Sequence, residues 1–172
     1  MLSPLSGTEI GFSAGHSEGW FFLIGKEFPG AQGGFALIPE QTIHKSFTGR
    51  LEGVFTDGGR YTAIQRIFPE PLPFRKLKIT LRNTGCFEKL NLRLVDETGQ
   101  YHQFPVPLAL DRESFQTVTC VPPSRSEISW GGANDRHWHG RLRGLALMAE
   151  GKYLPQECGK GTLHFSSITV IP

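Results

Sequence analysis

Along residues 76–82, KLKITLR, polar and apolar side chains alternate without a break: Leu77, Ile79 and Leu81 take one side, Lys76, Lys78, Thr80 and Arg82 the other. Residues 90–95 repeat the pattern, with Leu90, Leu92 and Leu94 opposing Asn91, Arg93 and Val95. A period of two with one polar side marks an antiparallel strand packed on a core through one face. Further strands are predicted over 61–68, 115–121, 142–148 and 163–170, joined by 20–24 and 35–38. Turn formers punctuate them: PG at 29–30, DGG at 57–59, NTG at 83–85, DETGQ at 96–100, PP at 122–123 and GKG at 159–161. Helical periodicity is almost absent. Some eight short strands separated in this way predict an all-β fold, an antiparallel β-sandwich, and leave a jelly roll and an immunoglobulin-like order equally open. No Ser/Pro linker interrupts the 172 residues, so one domain is expected, with 1–19 as an irregular lead.

Composition agrees with short strands and many loops: 21 Gly, 12 Pro and 13 Phe in an otherwise ordinary soluble mixture. The formal charge is only +2 and no basic run stands out, which argues against nucleic acid as a partner. No stretch reaches the roughly 20 apolar residues of a membrane helix, so no membrane partner is expected. The opening MLSPLSGTEIGF has neither a basic nor an apolar signal region, as would also hold for a fragment of an exported protein. Of the three cysteines, Cys86, Cys120 and Cys158, at most one pair can bridge, and the odd count argues against a disulfide framework.

Chemistry-bearing residues crowd into 130–142, WGGANDRHWHGRL. His137 and His139, one residue apart on an extended segment, would share a side and bind a metal together. Gly131 precedes them at the spacing of a cupin metal motif, but Arg143 and Gly144 stand where that motif wants a glutamate. The plainer reading is two histidines hydrogen-bonded in a loop beside Trp138. Nucleophilic catalysis finds no GxSxG elbow, and no carboxylate pair lies in a glycosidase context. GKGT at 159–162 lacks the first glycine of a phosphate-binding loop. A recognition surface remains, because flat aromatic rings beside Arg, Asn, Asp, Gln and His suit the apolar faces and hydroxyl rims of sugars.

Four segments in order, EFPGAQGGFALI at 27–38, LEGVFTDGGRYTAI at 51–64, LRLVDETGQYHQ at 92–103 and WGGANDRHWHGRLRGLAL at 130–147, carry a resemblance. The chain from about Trp20 onward resembles the galactose-binding-like β-sandwich carbohydrate-binding modules attached to bacterial glycoside hydrolases. The resemblance implies a jelly roll, a non-catalytic role, a carbohydrate ligand, a glycoside hydrolase as neighbour and a structural calcium. Glu27 resembles the glutamate that ligates calcium in such modules, with Asp57 as a second acid. Related modules often place an Asp near the end of the last strand, where this chain has Ser166 and Ser167. Arg93 and Gln103 are expected on the sugar-facing sheet. Tyr61 is either a stacking platform or a core ring. Trp138 is expected to be better exposed than Trp130. Asn134 and Asp135 are expected to brace the loop and, with His137, Trp138 and His139, to complete the ligand set. Two alternatives stand beside this one: an interaction domain packing on a partner, and a cupin-like metalloenzyme built on His137 and His139.

Overall fold

The computed structural model describes residues 6–41 and 46–172 and contains two six-stranded antiparallel sheets packed face to face. The first five residues of the predicted lead lie outside the described residues. The strands are β1 (Thr8–Glu9), β2 (Trp20–Leu23), β3 (Gln32–Glu40), β4 (Ser46–Val54), β5 (Tyr61–Leu72) and β6 (Lys76–Asn83). There follow β7 (Lys89–Asp96), β8 (Tyr101–Pro107), β9 (Gln116–Cys120), β10 (Ile128–Trp130), β11 (Leu142–Glu150) and β12 (Lys160–Ile171). One sheet runs β3-β4-β12-β6-β9 with β1 pairing β12, and the other runs β10-β8-β7-β11-β5-β2. The chain crosses repeatedly between them, as in a jelly roll.

Alternation decides which side of each strand is buried. Leu77, Ile79 and Leu81 of β6 face Leu90, Leu92 and Leu94 of β7 across the sandwich, all without solvent exposure. Leu145 and Leu147 of β11 and Leu163, Phe165, Ile168 and Val170 of β12 complete the two inner faces. Each such side chain contributes about 1.5–3 kcal/mol by leaving water. The lead is only partly irregular. Phe12 is fully buried, and the Trp20 indole donates to the Ile10 carbonyl at 2.8 Å.

Glu9 closes the N-terminal end. A bulge in β12 between Phe165 and Ile168 displaces Ser166 and Ser167 from regular pairing. The Glu9 carboxylate accepts bonds there from the amides of Gly11 and Ile168 and from the hydroxyls of Ser167 and Thr169, at 2.7–2.9 Å. Cys86 and Cys158 form a disulfide across 72 residues, joining the β6–β7 turn to the segment before β12, while Cys120 is a buried thiol. No helix among the described residues is long and apolar enough to cross a membrane.

Candidate functional site

The outer face of the β10-β8-β7-β11-β5-β2 sheet carries a cleft of about 620 Å³. Register explains its contents, since residues paired across antiparallel strands project from the same side. Ile128, Gln103, Arg93, Ala146, Gln65 and Phe21 form one row across the six strands. Trp130 and Tyr101 begin the row beside it, and Met148 and Ala63 lie in the next row on the other side. Tyr61, Ala63, Ala146 and Met148 form a small apolar floor, with Leu23 and Phe28 packed against it.

Polar groups rise from this floor already oriented. The Arg93 guanidinium donates from Nε and Nη2 to Gln103 Oε1, at 3.2 and 3.0 Å, and its carbon lies 5.0 Å from the Trp130 ring centre. Trp130 and Tyr101 stack in parallel, 5.0 Å apart with 2° between their planes, which stiffens the indole while leaving Trp130 39% exposed. At the other end Asn91 Nδ2 donates to Glu150 Oε1 at 2.6 Å, and Lys152 pairs with Glu150 Oε2 at 2.9 Å. The Tyr61 hydroxyl donates to Glu27 Oε1. Burial, with help from that bond, pushes the Tyr61 phenol up to about 12, and the bond itself holds the Glu27 carboxyl below its ordinary range. The Arg60 guanidinium carbon lies over the Phe28 ring, 3.9 Å from its centre. The cleft thus offers oriented donors and acceptors around apolar surface.

Loop 131–140, between β10 and β11, is built differently. Its polar groups are spent on the β7–β8 hairpin, on residues 124–127 and within the loop itself. Gln100 is its hub: its Nε2 donates to Asp135 Oδ1 at 3.2 Å and to the His137 carbonyl at 2.7 Å, and its Oε1 accepts the Arg136 amide at 3.0 Å. Beneath lies Asp96, without solvent exposure. Its carboxylate accepts from the Thr98 hydroxyl at 2.6 Å, His102 Nε2 at 3.0 Å, and the amides of Thr98, Gln100 and His139. Burial alone would raise the Asp96 carboxyl, but bonds from Thr98, His102 and the Gln100 and His139 amides outweigh it and hold the group below its ordinary range. The other ring nitrogen of His102 bonds Ser126. Gly132 and Gly140 both have positive φ, and a Cβ at either would collide with the hairpin, at the Gln100 backbone and the Glu97 carboxylate respectively.

Of the residues singled out by sequence, Tyr61, Arg93 and Gln103 come together in the cleft. Asn134, Asp135, His137, Trp138 and His139 belong to the loop instead. The expectation for the tryptophans is reversed. Trp138 packs on the core, against Phe74 at 5.3 Å and His102 at 5.2 Å, and its indole donates to the Gly140 carbonyl, whereas Trp130 faces solvent. His137 and His139 do not share a face of a strand. His137 Nδ1 bonds the Ser124 carbonyl and His139 Nε2 bonds Asp135 Oδ2 at 2.8 Å, so the two imidazoles are anchored separately. Asn134 turns the chain at φ 53°, and its backbone N–H donates to the Gly131 carbonyl.

The two acids expected to bind calcium are each engaged by a protein donor. Oxygen-only calcium sites use roughly six to eight ligands. Glu27 receives the Tyr61 hydroxyl, and Asp57 receives the Gln32 amide at 3.2 Å. Among the described residues no three His, Cys, Asp or Glu side chains gather as for a metal ion. Sequence reading missed Trp130, Glu150, Met148, Phe28, Arg60 and Lys152 as cleft residues. The signal for Met148 and Glu150 lay in β11, LRGLALMAE, whose alternation puts both opposite Leu145 and Leu147.

No protein-family model matches the chain, and no curated protein matches it in sequence. Solved structures do. A family 11 carbohydrate-binding module from Clostridium thermocellum, in complex with a β-1,3-1,4-mixed-linked tetrasaccharide, aligns at a TM-score of 0.64 over 98% of each chain with 12% identity. The fold is that of β-sandwich carbohydrate-binding modules. The module TmCBM61, in complex with β-1,4-galactotriose, aligns at 0.55 over 94% of each chain with 10% identity. An agarase aligns at 0.58 with 12% identity, and the match covers 97% of this chain but 25% of the agarase. At such identities the likeness is one of fold.

Proposed function

We propose that this chain is a non-catalytic carbohydrate-binding module that holds a glycan in the cleft above β10-β8-β7-β11-β5-β2. One observation carries the reading: an exposed, stiffened Trp130 stands beside an Arg93–Gln103 pair over an apolar floor. Sugar rings need that combination, a flat apolar contact with directional bonds at its margin. The carboxylates favour binding over hydrolysis. Glycosidases need one carboxylic acid raised so that it can donate a proton. Here Glu27 is pushed the other way by Tyr61, and Glu150 is engaged by Asn91 and Lys152.

The fold neighbours support the same reading, and the agarase match, a quarter of that chain, fits a module joined to a glycoside hydrolase. Such a partner would gain through effective concentration, as the module keeps the enzyme near its polymer. The Cys86–Cys158 disulfide fits an oxidising, exported setting. The test is titration calorimetry against soluble mixed-linked β-glucan, β-1,4-galactan and agaro-oligosaccharides. Binding by the native chain that Trp130→Ala weakens by about 1–3 kcal/mol, the scale of aromatic stacking on a planar ligand, supports the cleft. Binding untouched by Trp130→Ala and Arg93→Ala together would move the site elsewhere.

A further inference from the structure

Six large apolar side chains among the described residues are strongly exposed, and four of them share the cleft's sheet face: Trp130 (39%), Ile128 (49%), Phe21 (44%) and Ile67 (40%). They form two pairs. Trp130 and Ile128 stand on β10 at one edge, while Phe21 and Ile67 stand at the opposite edge, on β2 and β5. The pairs terminate the same two rows. Ile128 leads through Gln103, Arg93, Ala146 and Gln65 to Phe21. Trp130 leads through Tyr101, Val95 and Gly144 to Ile67. Five gaps of ~4.8 Å separate β10 from β2, about 24 Å in all.

The second edge has its own local design. A Cβ at Gly144 would lie 2.6 Å from Ile67 Cδ1, so the glycine lets Ile67 lean across β11 toward the middle of the face. Between Phe21 and Ala146 sits Gln65, whose side-chain amide makes no hydrogen bond among the described residues. An aromatic ring beside a glutamine thus recurs at both ends, Trp130 with Gln103 and Phe21 with Gln65. Ala146 and Gly144 keep the path between them low.

Resting on the reading of the cleft as a glycan site, we infer that Phe21, Gln65 and Ile67 form a second, distal subsite on the same path. The glycan runs across the strands, from the Trp130 edge to the Phe21 edge, and the site takes an interior stretch of a neutral chain several sugar units long. Continuity of the two rows argues for the distal end of the same chain as occupant, because both ends present the same ring-and-amide chemistry on one surface.

The experiment is a length series, disaccharide to octasaccharide, of mixed-linked β-glucan, β-1,4-galactan and agarose fragments, each titrated into the native chain, Phe21→Ala and Trp130→Ala, with melting curves for each protein. Affinity of the native chain should climb with length and then level off. Phe21→Ala should leave short oligosaccharides unaffected and weaken long ones by roughly tenfold, the scale of one stacking platform. Trp130→Ala should weaken every length. A folded Phe21→Ala that matches the native chain at all lengths, while Trp130→Ala fails, overturns the distal subsite and leaves the cleft standing. A native chain that binds no member of the series overturns both.

Discussion

The cleft and loop 131–140 hold similar residue types in opposite arrangements. The loop packs aromatic, acidic, basic and imidazole side chains into consecutive positions, and the fold consumes most of them: Asp135, the Arg136 amide and the His137 carbonyl close on Gln100, His139 on Asp135, Trp138 on the core. The cleft draws Tyr61, Arg93, Gln103, Trp130 and Glu150 from five different strands onto one face of the sheet, around an apolar floor. Local density of polar residues here reports a loop that satisfies itself. The proposed ligand surface lies where register gathers residues distant in sequence. The two regions are also connected, since the loop follows directly from Trp130 and fixes β10 against β8.

The sharpest way to break this division is at Asp96. Asp96→Ala removes the acceptor for His102 and for the Gln100 and His139 amides, and should cost about 3–5 kcal/mol in denaturant melts, because several buried donors lose their partner at about 1–3 kcal/mol each. A loss below 1 kcal/mol would mean that the loop does not depend on this network. Reducing the Cys86–Cys158 disulfide should cost about 2–4 kcal/mol by freeing a 72-residue loop in the unfolded chain, while binding to the remaining folded protein persists.

Acid should then act on the loop through its carboxylates. The Asp96 and Asp135 carboxyls both titrate lower in the folded chain, Asp135 at about 2. Their stabilisation is complete above the unfolded carboxylate range near pH 4 and is lost as pH falls through the folded values. Melting temperature followed from pH 6 to pH 2 should therefore drop in the acid limb, and Asp96→Asn should flatten that drop. The smallest expected effect is that of a chelator. With Glu27 bonded to Tyr61 and Asp57 to Gln32, removing divalent ions should leave the melting temperature unchanged. A fall would place a structural ion in the protein after all.

Much of the architecture is legible in period-two alternation. Strands β6 and β7 follow directly from KLKITLR and LNLRLV, and the DGG, NTG and DETGQ clusters fall at strand connections. Strands β4, β8 and β10 escape that reading. β4 carries two glycines, β8 (YHQFPVP) two prolines, and β10 is only three residues long, so all three owe their conformation to pairing with adjacent strands. The two tryptophans show the same limit at the site. Trp138 is surrounded in sequence by polar residues and is drawn to the core by Phe74 and His102, contacts far away in sequence. Trp130 is exposed because β10 is an edge strand, a fact of sheet order.

The most direct measurement compares Trp130→Ala with Trp138→Ala, reading glycan affinity and unfolding free energy on each. Trp130→Ala should lose about 1–3 kcal/mol of binding with stability nearly intact. Trp138→Ala should lose about 3 kcal/mol of stability, as a large side chain is stripped from the core, while the fraction still folded binds nearly as the native chain does. The reverse pattern, with binding lost at Trp138 and stability lost at Trp130, would contradict the account and return the ligand site to the loop.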